Sequence, residues 1–219
     1  MNSAAPDTDD THSIAAALTG LTEWLQAHPL RYVIEWVIGI DHVRYLLLPW
    51  DERLSSEAFC HTLAGALFAQ QCAGSDMPFS MYELRFAPLS FGQPRLAALI
   101  PSEVVAELIA VARRHGCRSR QITPALGVVW DSLPARVKND TGMLALVEGQ
   151  RMLRVAYNGG QIISLSVQPY SNERKPAIPA GVTYLFPSRD MTLSTSGKLA
   201  PALAPDDDPR FAYALCGVF

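Results

Sequence analysis

A thiol and an imidazole stand side by side at Cys60-His61, the two residue types that thiol-based enzymes pair as nucleophile and base. Neighbours on a helix point about 100° apart, so these two cannot serve one another. Cys60 next to Phe59 reads instead as a small core residue. The five histidines (His12, His28, His42, His61, His115) show neither HxxxH nor HxH spacing, which leaves a zinc site without support. His115 falls at a helix C-terminus, where it suits the dipole without any further role. Glu148, in the turn Glu148-Gly149-Gln150, could hold magnesium through one carboxylate, but a lone carboxylate in a hairpin turn is more often simply solvated. Asp41 reads as turn chemistry. Asp206-Asp207-Asp208 lacks the Gly and Glu spacing of a calcium loop, and no GxGxxG or P-loop pattern surrounds Gly159-Gly160. These residues predict no catalytic group, no metal site and no cofactor.

Binding chemistry is concentrated in one stretch, Arg31–Trp50, which reads RYVIEWVIGIDHVRYLLLPW. Arg44, Tyr45 and Trp50 belong to the types enriched among interface hot spots, and they are the candidate partner-binding residues of an exposed sheet edge. Arg44 lies within an apolar run, so it must reach solvent or find a partner, because an unpaired buried charge is expensive. The structural alternative is an ion pair with a nearby acid, such as Glu35 across a hairpin. That hairpin is predicted by the runs Tyr32–Ile38 and Val43–Leu48, broken at Gly39-Ile40-Asp41. Pro49 has no N–H to donate and ends the second strand.

The elements around this stretch follow from periodicity. Ser13 can cap a helix whose face is Ile14, Leu18, Leu21 and Leu25, stopped by His28-Pro29. Ser55 is the expected cap of a helix to about Cys72, with Phe59, Leu63 and Leu67 as its buried stripe and Gly74 as its exit. Tyr82–Phe86 and Leu96–Ile100 read as strands. Ser102 caps the next helix, with Val105, Leu108, Ile109 and Ala112 as its apolar face and Gly116 as its left-handed cap. A shorter helix covers Ala125 to Leu133. Met143–Val147, Met152–Tyr157 and Ile162–Val167 are strands, the last two joined at Asn158-Gly159, whose residue types accept the positive φ angles of a type I′ turn. Beyond Pro169 only Val182–Phe186 reads as a strand, and Phe211–Val218 is apolar enough to dock as a closing element. The order of helices and strands is that of a mixed α/β protein.

Bulk properties narrow the function classes. The chain has 219 residues, 49% of them apolar, and a formal net charge of −3. That is ample for a buried core and offers no basic footprint for nucleic acid. No apolar run reaches the roughly 18 residues that span a bilayer. The N-terminal MNSAAPDTDD has neither a positive nor an apolar region, so the sequence predicts a disordered tail over 1–12 and no secretory signal. Cys60, Cys72, Cys117 and Cys216 form no CxxC pair, as expected of a cytosolic chain with reduced thiols.

Four blocks carry a family likeness: VRYLLLPW ahead of a helix, LAALIPSEVVAELIAVARRHGC, ITPALGVVWDSL, and GMLALVEGQRMLRVAYNGGQIISLSV. In that order they resemble the actin-like proteins of bacterial pilus and secretion assembly, the PilM and GspL cytoplasmic-domain family, over about residues 31–168. The resemblance implies an RNase H-like, actin-like mixed sheet flanked by helices, in two related halves, 13–122 and 123–219. ATP-using members place Asp-x-Gly turns at the start of each half, where backbone N–H groups hold phosphate. The turn at Glu148-Gly149-Gln150 departs from that pattern, and the first turn has no counterpart. The expectation is therefore a non-catalytic cytoplasmic scaffold or adaptor that binds a protein partner, such as an inner-membrane assembly component, through a sheet edge or groove, with no nucleic acid and no membrane insertion. The alternative is a nucleotide-binding actin-like ATPase with divergent phosphate loops.

Overall fold

The computed structural model describes residues 14–72, 77–133, 135–148, 151–169, 184–186 and 198–199. The expected tail over 1–12, the Ser13 cap, the Gly74 exit, the Asp206–Asp208 loop and the Phe211–Val218 element lie outside them. The described residues divide into two compact units. One takes in those up to Trp36 together with Val104–Ile122; the other takes in Val37–Glu103 and those from Thr123 onward. No helix among the described residues is long and apolar enough to cross a membrane.

In the first unit, helix α1 (Ile14–Ala27) buries Leu18 and Leu25, two positions of the predicted face. Strand β1 (Val33–Ile38) and helix α3 (Ser102–Arg114) pack with it, so that Leu25, Ala112 and Cys117 form a small core flanked by Leu21, Tyr32, Ile34 and Trp36. Gly116 ends α3 at φ +68, the left-handed conformation that glycine adopts without a Cβ penalty. The chain then returns as β5 (Arg118–Pro124), bonded to β1. The polar run Arg118-Ser119-Arg120-Gln121 carries no apolar strand signal. Its pairing is held by partners distant in sequence: the Arg118 N–H donates to the Tyr32 carbonyl at 3.0 Å, and Trp36 Nε1 donates to Ser119 Oγ at 3.0 Å.

The second unit contains two sheets. In the first, β2 (Arg44–Leu48) and β3 (Tyr82–Phe86) flank β4 (Arg95–Pro101), all antiparallel. The predicted hairpin of β1 with β2 is therefore corrected: β1 pairs with β5 and β2 with β4. The link between them is a 3₁₀ turn at Ile40–His42 entered from Gly39 at φ −65, not the positive-φ dipeptide that a tight hairpin requires. Helix α2 (Glu57–Gln71) covers this sheet. Its cap is Ser56, whose hydroxyl accepts from the Phe59 N–H, and not Ser55, which lies in a preceding 3₁₀ turn. Its buried stripe is Cys60, Ala64 and Phe68, one residue away from the larger Phe59, Leu63 and Leu67, which flank it half-buried. The small Cys60 and Ala64 let the helix approach the strands closely, Phe68 packs into the core against Tyr82 at 5.4 Å, and Phe59, Leu63 and Leu67 fill the margins.

The second sheet is mixed, in the order β10-β9-β6-β7-β8. Strands β6 (Thr141–Glu148), β7 (Arg151–Asn158) and β8 (Gln161–Pro169) form an antiparallel meander. Strand β9 (Tyr184–Phe186) runs parallel to β6, and β10 (Lys198–Leu199) parallel to β9. The run Leu144-Ala145-Leu146-Val147 is buried on both faces, as a continuous apolar segment requires. Between β7 and β8 the positive φ angles fall on Gly159 (57) and Gly160 (82), one residue later than Asn158-Gly159. Helices α4 (Ala125–Ser132) and α5 (Ala135–Lys138) precede the sheet, and Trp130 of α4 meets Tyr157 edge-on at 5.6 Å.

Leu99 is fully buried in β4, paired across to Arg44 and Leu84. Leu99→Ala is expected to cost about 2–5 kcal/mol in urea unfolding. Arg85→Ala, which removes the exposed pair with Glu83 and a long 3.4 Å bond to the Leu84 carbonyl, is expected to cost less than about 1 kcal/mol.

Candidate functional site

Strands β2 and β8 end their respective sheets, and they approach one another within the second unit. Between them lies a groove of about 700 Å³, within the roughly 300–1,000 Å³ range of ligand sites. Asp41, Val43, Arg44 and Tyr45 line it from the β2 side, Gln71 and Cys72 from the end of α2, and Arg151 with residues 165–169 from the other sheet.

Of the three residues singled out in the sequence, Arg44 and Tyr45 line this groove, while Trp50 does not. Arg44 is exposed, and its Nε donates to the Tyr82 hydroxyl at 3.1 Å, a bond that raises its pKa above the ordinary arginine value. The expected pair with Glu35 is overturned, since Glu35 pairs with Arg120 at 2.9 Å. The reason is topological: β1 and β2 are not hairpin partners, so their side chains do not meet across a ladder. No carboxylate among the described residues pairs with Arg44. Tyr45 is buried, and its oxygen accepts from the Leu126 N–H at 3.4 Å, satisfying one of the orphan donors in the first turn of α4. Burial pushes its hydroxyl well above the usual tyrosine pKa, and the charge on Glu148 adds to the shift. Trp50 packs half-buried beside the same core, with Phe91 edge-on at 5.1 Å. Phe91 is 88% exposed on the loop that joins β3 to β4.

Glu148 is not left to solvent. Its carboxylate accepts the Ile40 N–H at 2.5 Å, and it lies where a side chain on Gly39 would have to go. Asp41, one residue further on, faces Arg151 at 3.8 Å, and Arg151 also donates to the Asp41 carbonyl at 3.4 Å. The turn ahead of β2 is thus held from both ends of the β6–β7 connection. Chain order alone shows none of these pairings, because more than a hundred residues separate the partners. The groove's β8 wall was equally hidden, although the unbroken neutral run from Gln161 to Pro169 was a visible signal.

Cys60 is fully buried, and its thiol donates to the Leu54 carbonyl at 3.2 Å, while His61 points outward against Phe86. Their geometry is that of a core residue and a surface residue.

No family model matches the chain, and no curated protein matches it in sequence. Solved structures do match. The chain is similar to a structure described as the PilM–PilN type IV pilus biogenesis complex, at 17% identity and a TM-score of 0.52, over 80% of this chain and 55% of the other. It thus spans little more than half of that pilus chain. It is also similar to the cytoplasmic domain of EpsL, an inner-membrane component of the type II secretion system of Vibrio cholerae, at 9% identity and a TM-score of 0.55, over 92% of this chain and 82% of the other. The fold is the actin-like α/β fold of these pilus and secretion proteins, as the resemblance implied.

Gly39 has φ −65 and ψ 166, angles open to any residue, so Gly39→Ala should act only by displacing the Glu148 carboxylate. Its expected cost is about 1–3 kcal/mol, the worth of a hydrogen bond to a charged group. In a Glu148→Ala background the same change should cost almost nothing, a non-additivity that urea unfolding of the four chains measures. A second prediction concerns pH. Hydrogen bonds from the Arg53 side chain and N–H hold the Asp51 carboxyl down to about 2 from 3.8. The contribution of this pair is therefore complete above about pH 4 and lost as pH falls towards 2. In Arg53→Ala the backbone N–H of residue 53 still donates to Asp51, so the carboxyl resonance should titrate above about 2 but still below 3.8.

Proposed function

We propose that this chain is a non-catalytic cytoplasmic scaffold of a type IV pilus or type II secretion-like assembly, and that it binds a protein partner in the groove between β2 and β8. On this reading residues 13–122 and 123–219 are the two related halves, Arg44 and Tyr45 lie in the partner surface, and Trp50 packs outside it. Two fold neighbours from such assemblies support the context, one of them described as a complex with PilN.

One observation carries the non-catalytic part. At the turn where an ATP-using relative would present free backbone N–H groups to phosphate, this chain has Glu148, and its carboxylate already accepts the Ile40 N–H. A fixed negative charge at that place repels a phosphate, whereas a nest of free N–H groups attracts one. The groove beside it is lined by strand edges, Arg44, the Arg151–Asp41 pair and neutral side chains, a surface suited to holding a polypeptide.

Thermal unfolding in the presence of ATP or ADP, with and without magnesium, tests this reading. A nucleotide present at roughly 100-fold above its dissociation constant would add about 2.7 kcal/mol to stability. The expected result is no change in melting temperature at millimolar nucleotide. A magnesium-dependent rise that disappears in Glu148→Ala would replace the scaffold with the nucleotide-binding alternative.

A further inference from the structure

Of the edge strands whose side chains are described, all but one carry a charge. Strand β1 has Glu35, β5 has Arg118 and Arg120, β2 has Arg44, and β3 has Glu83 and Arg85. Charges on an edge discourage the pairing of a foreign strand. Strand β8 is the exception, since Gln161–Pro169 reads QIISLSVQP and contains none. A bulge places Ile163 out of register with β7, and beyond it Ser164 to Pro169 pair regularly with Ala156 to Arg151. Residues 165–169 of this regular, uncharged stretch line the groove, with Val167 still 40% exposed. Across the groove stands Arg44, a guanidinium with no carboxylate partner among the described residues, while the neighbouring Arg151 already faces Asp41.

We propose that β8 is a docking edge for strand addition: a partner protein lays a short extended segment along Ser164–Gln168 and places an aspartate or glutamate of that segment against Arg44. The proposal rests on the partner-binding reading above and names the chemistry of the partner. Main-chain bonds to the β8 edge supply sequence-independent affinity, and alternate side chains of the added strand supply specificity. Five residues are a usual strand length. The apolar positions Leu165 and Val167 favour apolar residues opposite them. Arg44 selects for acid because its fork matches a carboxylate, and its existing bond to Tyr82 holds it in place.

The test is selection of short random peptides from a display library against the full chain, repeated against Arg44→Glu. The wild type is expected to enrich apolar, β-branched peptides that contain an acidic residue. Arg44→Glu is expected to enrich peptides with lysine or arginine instead. A peptide selected by the wild type should lose about tenfold in affinity on Arg44→Ala, the size of one charge-assisted hydrogen bond. Its binding should slow hydrogen exchange at residues 164–168. Ser164→Lys, which puts a charge on the edge opposite Ala156, should abolish binding and leave the melting temperature unchanged. Enrichment of the same peptides by the wild type and Arg44→Glu would overturn the proposal, and so would protection elsewhere in the chain or no enrichment at all. Such a failure alongside no nucleotide effect on melting would sink strand addition alone. A nucleotide-dependent rise in melting would sink the scaffold reading itself.

Discussion

The bond between the Glu148 carboxylate and the Ile40 N–H is the constraint from which the candidate site follows. Ile40 and Val43 are buried, so the turn ahead of β2 belongs to the core, and its backbone donors must find acceptors. Glu148 supplies one from the end of β6, over a position that only glycine leaves open. With Arg151 facing Asp41 from the start of β7, the two sides of one hairpin grip one turn. That grip brings β2, the last strand of one sheet, alongside β8, the last strand of the other, and the groove is the space left between them.

The same arrangement separates the structural side chains from those available to a partner. Tyr45 looked like an anchor by type, yet its ring is buried and its oxygen is committed to the first turn of α4. Arg44, its neighbour on the other face of the strand, is exposed and charged, and it is the residue of the pair that can meet a ligand. The alternation of a β-strand makes this division unavoidable, because adjacent residues point to opposite faces. Trp50, beyond the end of β2, packs towards Phe91 and the β3–β4 loop, away from the groove lining.

Much of the architecture was legible because local physics sets it. The apolar spacing of α1, the alternation of β3, the short apolar runs of β4, β6 and β7, and the glycine stop after α3 all appear at nearly the predicted places. The misreadings share one cause. The runs flanking Gly39 resembled a hairpin because both are apolar and adjacent in sequence, but each found a better partner further along the chain. Strand β5 was invisible because its strand character comes from pairing with β1 and not from its polar side chains. On α2 the bulky Phe59, Leu63 and Leu67 drew attention one residue away from the buried line of Cys60, Ala64 and Phe68, of which the two small members allow close approach to the sheet.

The sequence by itself determined the mixed α/β class, most of the elements, the core role of Cys60 and the charge-free run that became β8. Each follows from composition or from a period along one segment. Only the tertiary structure decided that Glu148 is a structural ligand of a turn, that Arg44 faces a groove and not Glu35, and that β8 forms the opposite wall. Each of these depends on which strands become neighbours. Neighbour choice is settled by the summed burial of whole sheets over separations of about a hundred residues, which no local pattern encodes.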